Sequence, residues 1–352
     1  MKEDDLIIDY AAPLLVTGSS GFIGCRLVQA LLDYGFSNIR CLVRPSSNVA
    51  GLKKVLELDN CGKIKIMEGN LLSREDCRRI SDGACVIYHL AAGRGEKSFP
   101  DAFLNSVVTT RNLLDAVSGS HSLRRFVNVG SFSVYSNSHL RRRALVDEGC
   151  ELESQPQLRG DAYSYAKVRQ DELVMEHCKK NKIPFVIVRP GVVYGPGNKG
   201  IHGRIGIGTF GVFLHLGGAN EIPLTYVDNC ADAIVLAGLR PGVNGEIFNV
   251  VDDDLPTSRT FLKLFKNNVG RFRSLWVPYR LFYMFCCLWE WYSKWSERQL
   301  PPVFNRKMCA AYWKGNQYSN DKLKKLLGWN PKVTFEEAMQ HYCDYQKATG
   351  YK

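Results

Sequence analysis

Short apolar runs alternate with amphipathic stretches through the first half of the chain. Leu14-Leu15-Val16 is followed by a helical pattern from Phe22 to Tyr34, which Gly35 closes. Apolar runs recur at Ile39–Val43, Ile64–Met67, Val86–Leu90, Phe126–Val129 and Phe185–Val188. Between the later ones lie helical patterns at about 102–117 and 162–180. Runs that are apolar at every position, separated by helices, predict crossover units around a parallel sheet buried on both faces. With right-handed crossovers this is an α/β, doubly wound, Rossmann-type fold.

After Arg189-Pro190 the pattern changes. Residues 191–221 are rich in glycine and read as loops; Leu224–Val227 and Ile247–Val251 read as strands again, and 319–341 as a short helical lobe. The organisation predicted is a dinucleotide-binding domain over 1–190 and a smaller, mainly substrate-binding lobe over 191–352, with about 224–251 returning to the main sheet.

Composition narrows the picture only a little. A chain of 352 residues with 45% apolar content can bury a large core. Twelve cysteines are scattered without CxxC pairs, and the acidic start MKEDDLIIDY lacks the apolar core of a signal peptide. The expectation is a reduced, cytoplasmic protein. The histidines are scattered too, so no metal site is expected. The net charge of +11 suits an anionic ligand or surface, but its one dense run, Arg141-Arg142-Arg143, comes with no nucleic-acid motif. No nucleic-acid partner is expected.

Thr17-Gly18-Ser19-Ser20-Gly21-Phe22-Ile23-Gly24 joins the first strand to the first helix. Gly18 permits the tight turn, Gly21 lets backbone approach a pyrophosphate, and Gly24 lets helix pack on strand. Free N–H groups at the helix start, including those of Phe22 and Ile23, favour the phosphates. A second match, Gly206-Ile207-Gly208-Thr209-Phe210-Gly211, has no strand before it and no amphipathic helix after it, and reads as a mobile loop. NAD binders place an acid at the end of the second strand for the ribose hydroxyls. Here that strand runs into Arg44, a fork donor suited to a 2′-phosphate, so NADP is favoured over NAD.

Tyr163 and Lys167 are four residues apart and share a helix face. An ammonium beside the phenol favours tyrosinate, lowering Tyr163 from its usual pKa of about 10 towards a range useful for proton transfer. Ser131, at the end of the preceding strand, can hold a substrate oxygen. A second YxxxK, Tyr318 with Lys322, lies in the C-terminal lobe and follows no such strand.

Together with His89-Leu90-Ala91-Ala92, Arg189-Pro190-Gly191-Val192-Val193-Tyr194-Gly195-Pro196-Gly197, Tyr226-Val227-Asp228-Asn229 and Leu327-Gly328-Trp329-Asn330-Pro331, these motifs resemble the extended short-chain dehydrogenase/reductases almost end to end. That group includes nucleotide-sugar epimerases and dehydratases and the 3β-hydroxysteroid dehydrogenases. The resemblance implies Ser131, Tyr163 and Lys167 as the catalytic set. It places Ser20, Leu71, Leu90, Ala91, Ala92, Pro190 and Val193 along the cofactor, and it implies a homodimer through the helices carrying 105–117 and 163–178. Where relatives carry Asp after the third strand, this chain has Asn70, which can still hydrogen-bond adenine. Nucleotide-sugar enzymes usually carry a diphosphate-gripping arginine before the Tyr226 motif; here the residues are Ile222-Pro223-Leu224-Thr225, with Arg204 as the nearest substitute. Substrate contacts are expected at Ser133, Tyr194 and Arg204.

Residues 276–292 look like the aromatic insertion of the steroid-type members, and Arg280 and Glu290 interrupt them as a membrane span. A lid over the substrate, a peripheral membrane-contact helix and plain core are the three readings. The expected activity is NAD(P)-dependent interconversion of a secondary alcohol and a ketone on a bulky, largely apolar, steroid-like or alicyclic substrate. A nucleotide-sugar epimerase or dehydratase and an idle NADP-sensing protein are the alternatives.

Overall fold

The structure is a computed structural model that describes residues 5–57, 64–93, 95, 98–137, 139–297, 299 and 304–350. Its strands are β1 (Leu14–Thr17), β2 (Ile39–Val43), β3 (Lys65–Glu68), β4 (Val86–His89), β5 (Arg125–Val129), β6 (Leu145–Val146), β7 (Phe185–Pro190), β8 (Val192–Tyr194), β9 (Gly206–Thr209), β10 (Val212–His215), β11 (Leu224–Tyr226), β12 (Ile247–Val250), β13 (Ser274–Trp276) and β14 (Gln317–Tyr318). Its α-helices are α1 (Phe22–Asp33), α2 (Ala50–Leu56), α3 (Arg74–Ser81), α4 (Phe99–Phe103), α5 (Thr109–Val117), α6 (Ala162–Lys180), α7 (Val227–Leu239), α8 (Ser258–Asn268), α9 (Tyr279–Trp295), α10 (Arg306–Trp313), α11 (Asp321–Leu327) and α12 (Phe335–Ala348).

Seven strands form one parallel sheet in the order β12-β7-β5-β4-β1-β2-β3. Alternation within each strand sends side chains to both faces, and both are covered. Leu14, Val16, Val86, Tyr88 and Val127 pack with Leu27 and Leu31 of α1 and Ile234 of α7. Leu15, Ile87, Phe126 and Ile187 point the other way, onto Ile80 of α3, Leu113 of α5 and Val174 of α6. Each fully buried side chain of this kind contributes ~1.5–3 kcal/mol, against ~0–1 for an exposed ion pair, so burial holds the sheet. The buried cation Arg125 is matched by the carbonyls of Ala237 (3.1 Å) and Arg240 (2.6 Å) at the end of α7 and by Asn244 (3.0 Å).

Of the stretch expected to rejoin the sheet, Ile247–Val250 does, beside β7. Leu224–Tyr226 pairs instead with Val192–Tyr194 in a small separate sheet, and the helix that follows lies on α1. Residues 191–221 are not simply loops. The second glycine fingerprint is a β-hairpin: β9 pairs with β10, and Phe210-Gly211 forms its tip with both residues at positive φ (45° and 74°). That is the left-handed pair a two-residue hairpin turn requires. The glycines that mimic a phosphate loop therefore serve a turn and a close strand approach; a Cβ on Gly206 would fall 2.0 Å from Leu214 O.

Candidate active site

The carboxyl ends of β1 to β5 and β7 form one edge of the sheet, where ligands of such folds bind. Gly18 follows β1 with φ 70°; a Cβ there would lie 2.9 Å from Leu90 C and Ala91 N. A Cβ on Gly24 would lie 2.1 Å from Gly18 O, so turn and helix touch through backbone. The start of α1 at Gly21 has no side-chain cap and no acid in its first turn. This bare helix end leaves its N–H groups for an anion, and the residues fit a dinucleotide pyrophosphate. Ser19 fastens the loop to the neighbouring strand through Leu42 O (2.9 Å), while Ser20 stays partly exposed.

Arg44 follows the last residue of β2 and is exposed. Asn70 follows β3. Its Oδ1 accepts from Leu72 N (3.0 Å) and its own N–H donates to Asp76 Oδ2 (2.8 Å), leaving Nδ2 as the group able to meet a base. Leu71 beside it is buried. Leu90, Ala91 and Ala92 leave β4 against the glycine turn, Pro190 ends β7, and Val193 sits in β8.

Ser131 leaves β5 in extended backbone, and its Oγ accepts from Ser133 N (3.1 Å), which leaves the hydroxyl proton free to donate. Asp161 caps α6 by accepting from Tyr163 N (3.0 Å), which fixes where the phenol emerges. Burial pushes the Tyr163 phenol up to about 12, and a hydrogen bond with Ser131 pulls against it. Lys167 is buried one turn on. Its Nζ donates to Val129 O (2.7 Å) and Gln170 Oε1 (2.8 Å), and burial brings it down to about 8. This corrects the expected electrostatics: burial raises the phenol rather than the lysine lowering it, and the Lys167 Nζ bonds go to Val129 and Gln170. Beneath them Asp171 pairs with Arg189 (2.9 Å) and accepts from Asn128 (3.0 Å), tying α6 to β5 and β7.

Ser131, Ser133, Tyr163 and Arg204 line one cleft. Arg204 Nη1 donates to Ala311 O (3.1 Å) and Tyr318 OH (3.3 Å), and the guanidinium lies 5.6 Å from the Tyr312 ring centre. Arg159, Tyr312 and Tyr318 are among the lining residues that sequence reasoning missed. Arg159, buried, donates to Ser133 O and Tyr135 O and pairs with Glu153 (3.5 Å). Tyr312 comes from α10, and Tyr318 stacks on Phe132 at 5.6 Å. Tyr318 and Lys322 are the second YxxxK of the chain. The pair is indeed split, since Lys322 bonds Glu246 (2.7 Å), but the tyrosine itself stands in the cleft. Among the described residues no Asp or Glu lines the cleft.

Two expectations fall outside it. Tyr194 packs edge-on to Tyr226, Phe261 and Tyr342 in the lobe core and does not line the cleft. Residues 276–292 do not line it either. Phe282 and Cys286 of α9 pack on Cys309 and Trp313, so α9 backs α10 while α10 forms the wall. Among the described residues there is no cluster able to hold a metal, and no helix is long and apolar enough to cross a membrane.

The sequence model of the NAD dependent epimerase/dehydratase family matches residues 14–250. The sterol-4-alpha-carboxylate 3-dehydrogenase (decarboxylating) of Candida albicans is 26% identical, covering 94% of this chain and 97% of its own. Its Saccharomyces cerevisiae counterpart is 28% identical, covering 93% and 95%. UDP-glucuronic acid 4-epimerase from Bacillus cereus shares the fold, with a TM-score of 0.72 at 20% identity over 96% of this chain and 99% of that one.

Proposed function

The chain belongs to the NAD dependent epimerase/dehydratase family, and within it we propose an oxidoreductase that interconverts a secondary alcohol and a ketone on a bulky alicyclic, steroid-like substrate. The observation that carries this reading is the cleft at Ser131 and Tyr163. Phe132, Tyr312 and Tyr318 line it with aromatic surface, which suits a fused-ring skeleton. The full-length similarity to two sterol dehydrogenases supports it.

A bound nicotinamide supplies the hydride acceptor or donor. In the alcohol-to-ketone direction, Tyr163 as tyrosinate takes the hydroxyl proton while the carbon gives up its hydride; the reverse returns both. Ser131 donates to the substrate oxygen and holds it beside the phenol. Lys167 contributes positive charge behind that pair while it is protonated, below about pH 8. Burial raises the phenol, so the base form of Tyr163 gains with rising pH and oxidation is favoured on the alkaline side.

Arg204 favours a second reading, since an arginine in the cleft can also grip the diphosphate of a nucleotide sugar. Thermal melting with cofactor present separates the two. A steroid bearing a ring hydroxyl should raise the melting temperature, and UDP-glucuronic acid should not. Stabilisation by the UDP-sugar alone would reverse the ranking.

NADP is the cofactor we propose, on the strength of Arg44. A homodimer through α5 and α6 is the assembly we propose, which sedimentation measures directly. For α9 we propose peripheral contact with an anionic membrane. Its buried side holds Phe282, Cys286 and Ser293, while Leu281, Met284, Leu288, Trp291 and Trp295 share an exposed face. Exposed Arg271, Arg273, Arg280 and Lys294 accompany it, and Glu290 is taken up by Arg306 (2.8 Å). Exposed tryptophan beside cations is the composition of an interfacial helix. The protein should sediment with phosphatidylcholine vesicles containing phosphatidylserine, and a Leu288→Glu, Trp291→Glu double variant should stay in the supernatant. Wild type left in the supernatant would refute the contact.

A further inference from the structure

Behind the catalytic lysine runs a file of buried polar side chains that the hydride chemistry does not use. Lys167 Nζ donates to Gln170 Oε1 (2.8 Å), and Gln170, with no exposed surface, donates from Nε2 to Thr110 Oγ1 (2.8 Å). Thr110 Oγ1 stands 2.5 Å from Ser106 O and 2.8 Å from His89 Nε2. The other ring nitrogen of His89 is 2.8 Å from Thr17 Oγ1, the last residue before the glycine turn.

Donor counting sets the directions. An ammonium can only donate, so Gln170 must turn its oxygen to Lys167 and its nitrogen to Thr110. The single hydroxyl proton of Thr110 goes to the Ser106 carbonyl, which makes His89 Nε2 a donor. Burial and the nearby Lys167 charge bring His89 down to about 3, so the ring is neutral and its Nδ1 accepts from Thr17. An amide within such a file orients its neighbours but does not relay protons, because passage through it would need an imidic acid. What remains for Gln170 is to act on the charge of the lysine.

We infer that Gln170 is a positioning residue for the proposed reaction: its side-chain carbonyl keeps Lys167 protonated and holds its ammonium at the end of β5. The inference rests on the catalytic reading of Tyr163 and Lys167 and is independent of the substrate. The charged and titratable groups around Lys167 are few. Asp171 on α6 opposes the effect of burial on the lysine but is itself committed to Arg189 of β7; His89 of β4 is neutral; Tyr163 lies one turn back on α6. Among the described residues, Gln170 Oε1 and Val129 O are the acceptors of the ammonium.

The test uses the full chain labelled with ¹⁵Nζ-lysine, without substrate, and follows the Lys167 ammonium resonance against pH, with Lys167→Met identifying the signal. Wild type should titrate near 8. Gln170→Leu removes one charge-assisted acceptor and should lower the midpoint by about one pH unit or more. Gln170→Glu keeps the shape, adds a negative charge and should raise it by a similar amount. If the leucine variant does not fold, the near-isosteric glutamate variant alone decides. Equal midpoints, or both variants moving the same way as simple repacking would cause, overturn the inference. Because no substrate is involved, failure of the steroid-like reading leaves this result standing.

Discussion

Tyr163→Phe should retain cofactor affinity and lose about 10²–10⁴-fold in turnover, the range that general acid–base catalysis contributes. The substitution removes only the hydroxyl. Asp161 still caps the helix through the Tyr163 backbone N–H, and Lys167 keeps Val129 and Gln170, so the frame survives. Tyr318→Phe is the informative partner. Tyr318 stands in the same cleft but accepts from Arg204 and stacks on Phe132, so its loss should raise KM and leave kcat near wild type. Both variants should be assayed on a ring-hydroxylated steroid with NAD and NADP. Full turnover by Tyr163→Phe would mean that the proton comes from elsewhere.

Gly21→Asp should abolish dinucleotide binding in a protein that still folds. Gly21 has φ −78° and ψ 173°, which any residue adopts, and an added Cβ meets only Gly18 O at 3.1 Å. Aspartate is also a good helix N-cap, worth ~1 kcal/mol, so the melting temperature should hold or rise. Its carboxylate would stand where the pyrophosphate must sit. At about 4 Å and an effective dielectric of about 20, like charges cost roughly 4 kcal/mol, on the order of 10³-fold in affinity. In the same calorimetric series, Arg44→Ala should cost about 1.5–3 kcal/mol with NADPH and much less with NADH. Unchanged affinity in Gly21→Asp removes the loop assignment; equal losses for both cofactors in Arg44→Ala remove the selectivity assignment.

The sheet was legible because its signal is local. Leu14-Leu15-Val16 and its successors are apolar at every position, and only burial on both faces explains that. The glycine loop and Tyr163 with Lys167 were legible because strand, turn and helix follow one another directly. What depended on distant pairing was not. Nothing near Gly206 announces that Leu214 will pass behind it, so a hairpin read as a loop. Nothing near Tyr318 shows that Leu145-Val146 will pair with it and carry it to Phe132. The aromatic density of 276–292 was visible, but whether it faced the cleft depended on α10 coming between. The charge state expected for Tyr163 failed for a similar reason. Spacing put the lysine on the right face of the helix, but Gln170 and Val129 decide what its ammonium touches.

The origin of the cleft's side chains along the chain has an evolutionary consequence. Ser131, Tyr163 and Lys167 all precede residue 190, whereas Arg204, Tyr312 and Tyr318 follow it. The proposed proton-moving set is therefore encoded wholly in the earlier stretch, whereas the far wall of the cleft comes from the later one, and the two meet only in the folded protein. Drift in the later stretch can exchange one substrate for another while the hydride chemistry stays intact. A chain built this way can change what it recognises without rebuilding what it does.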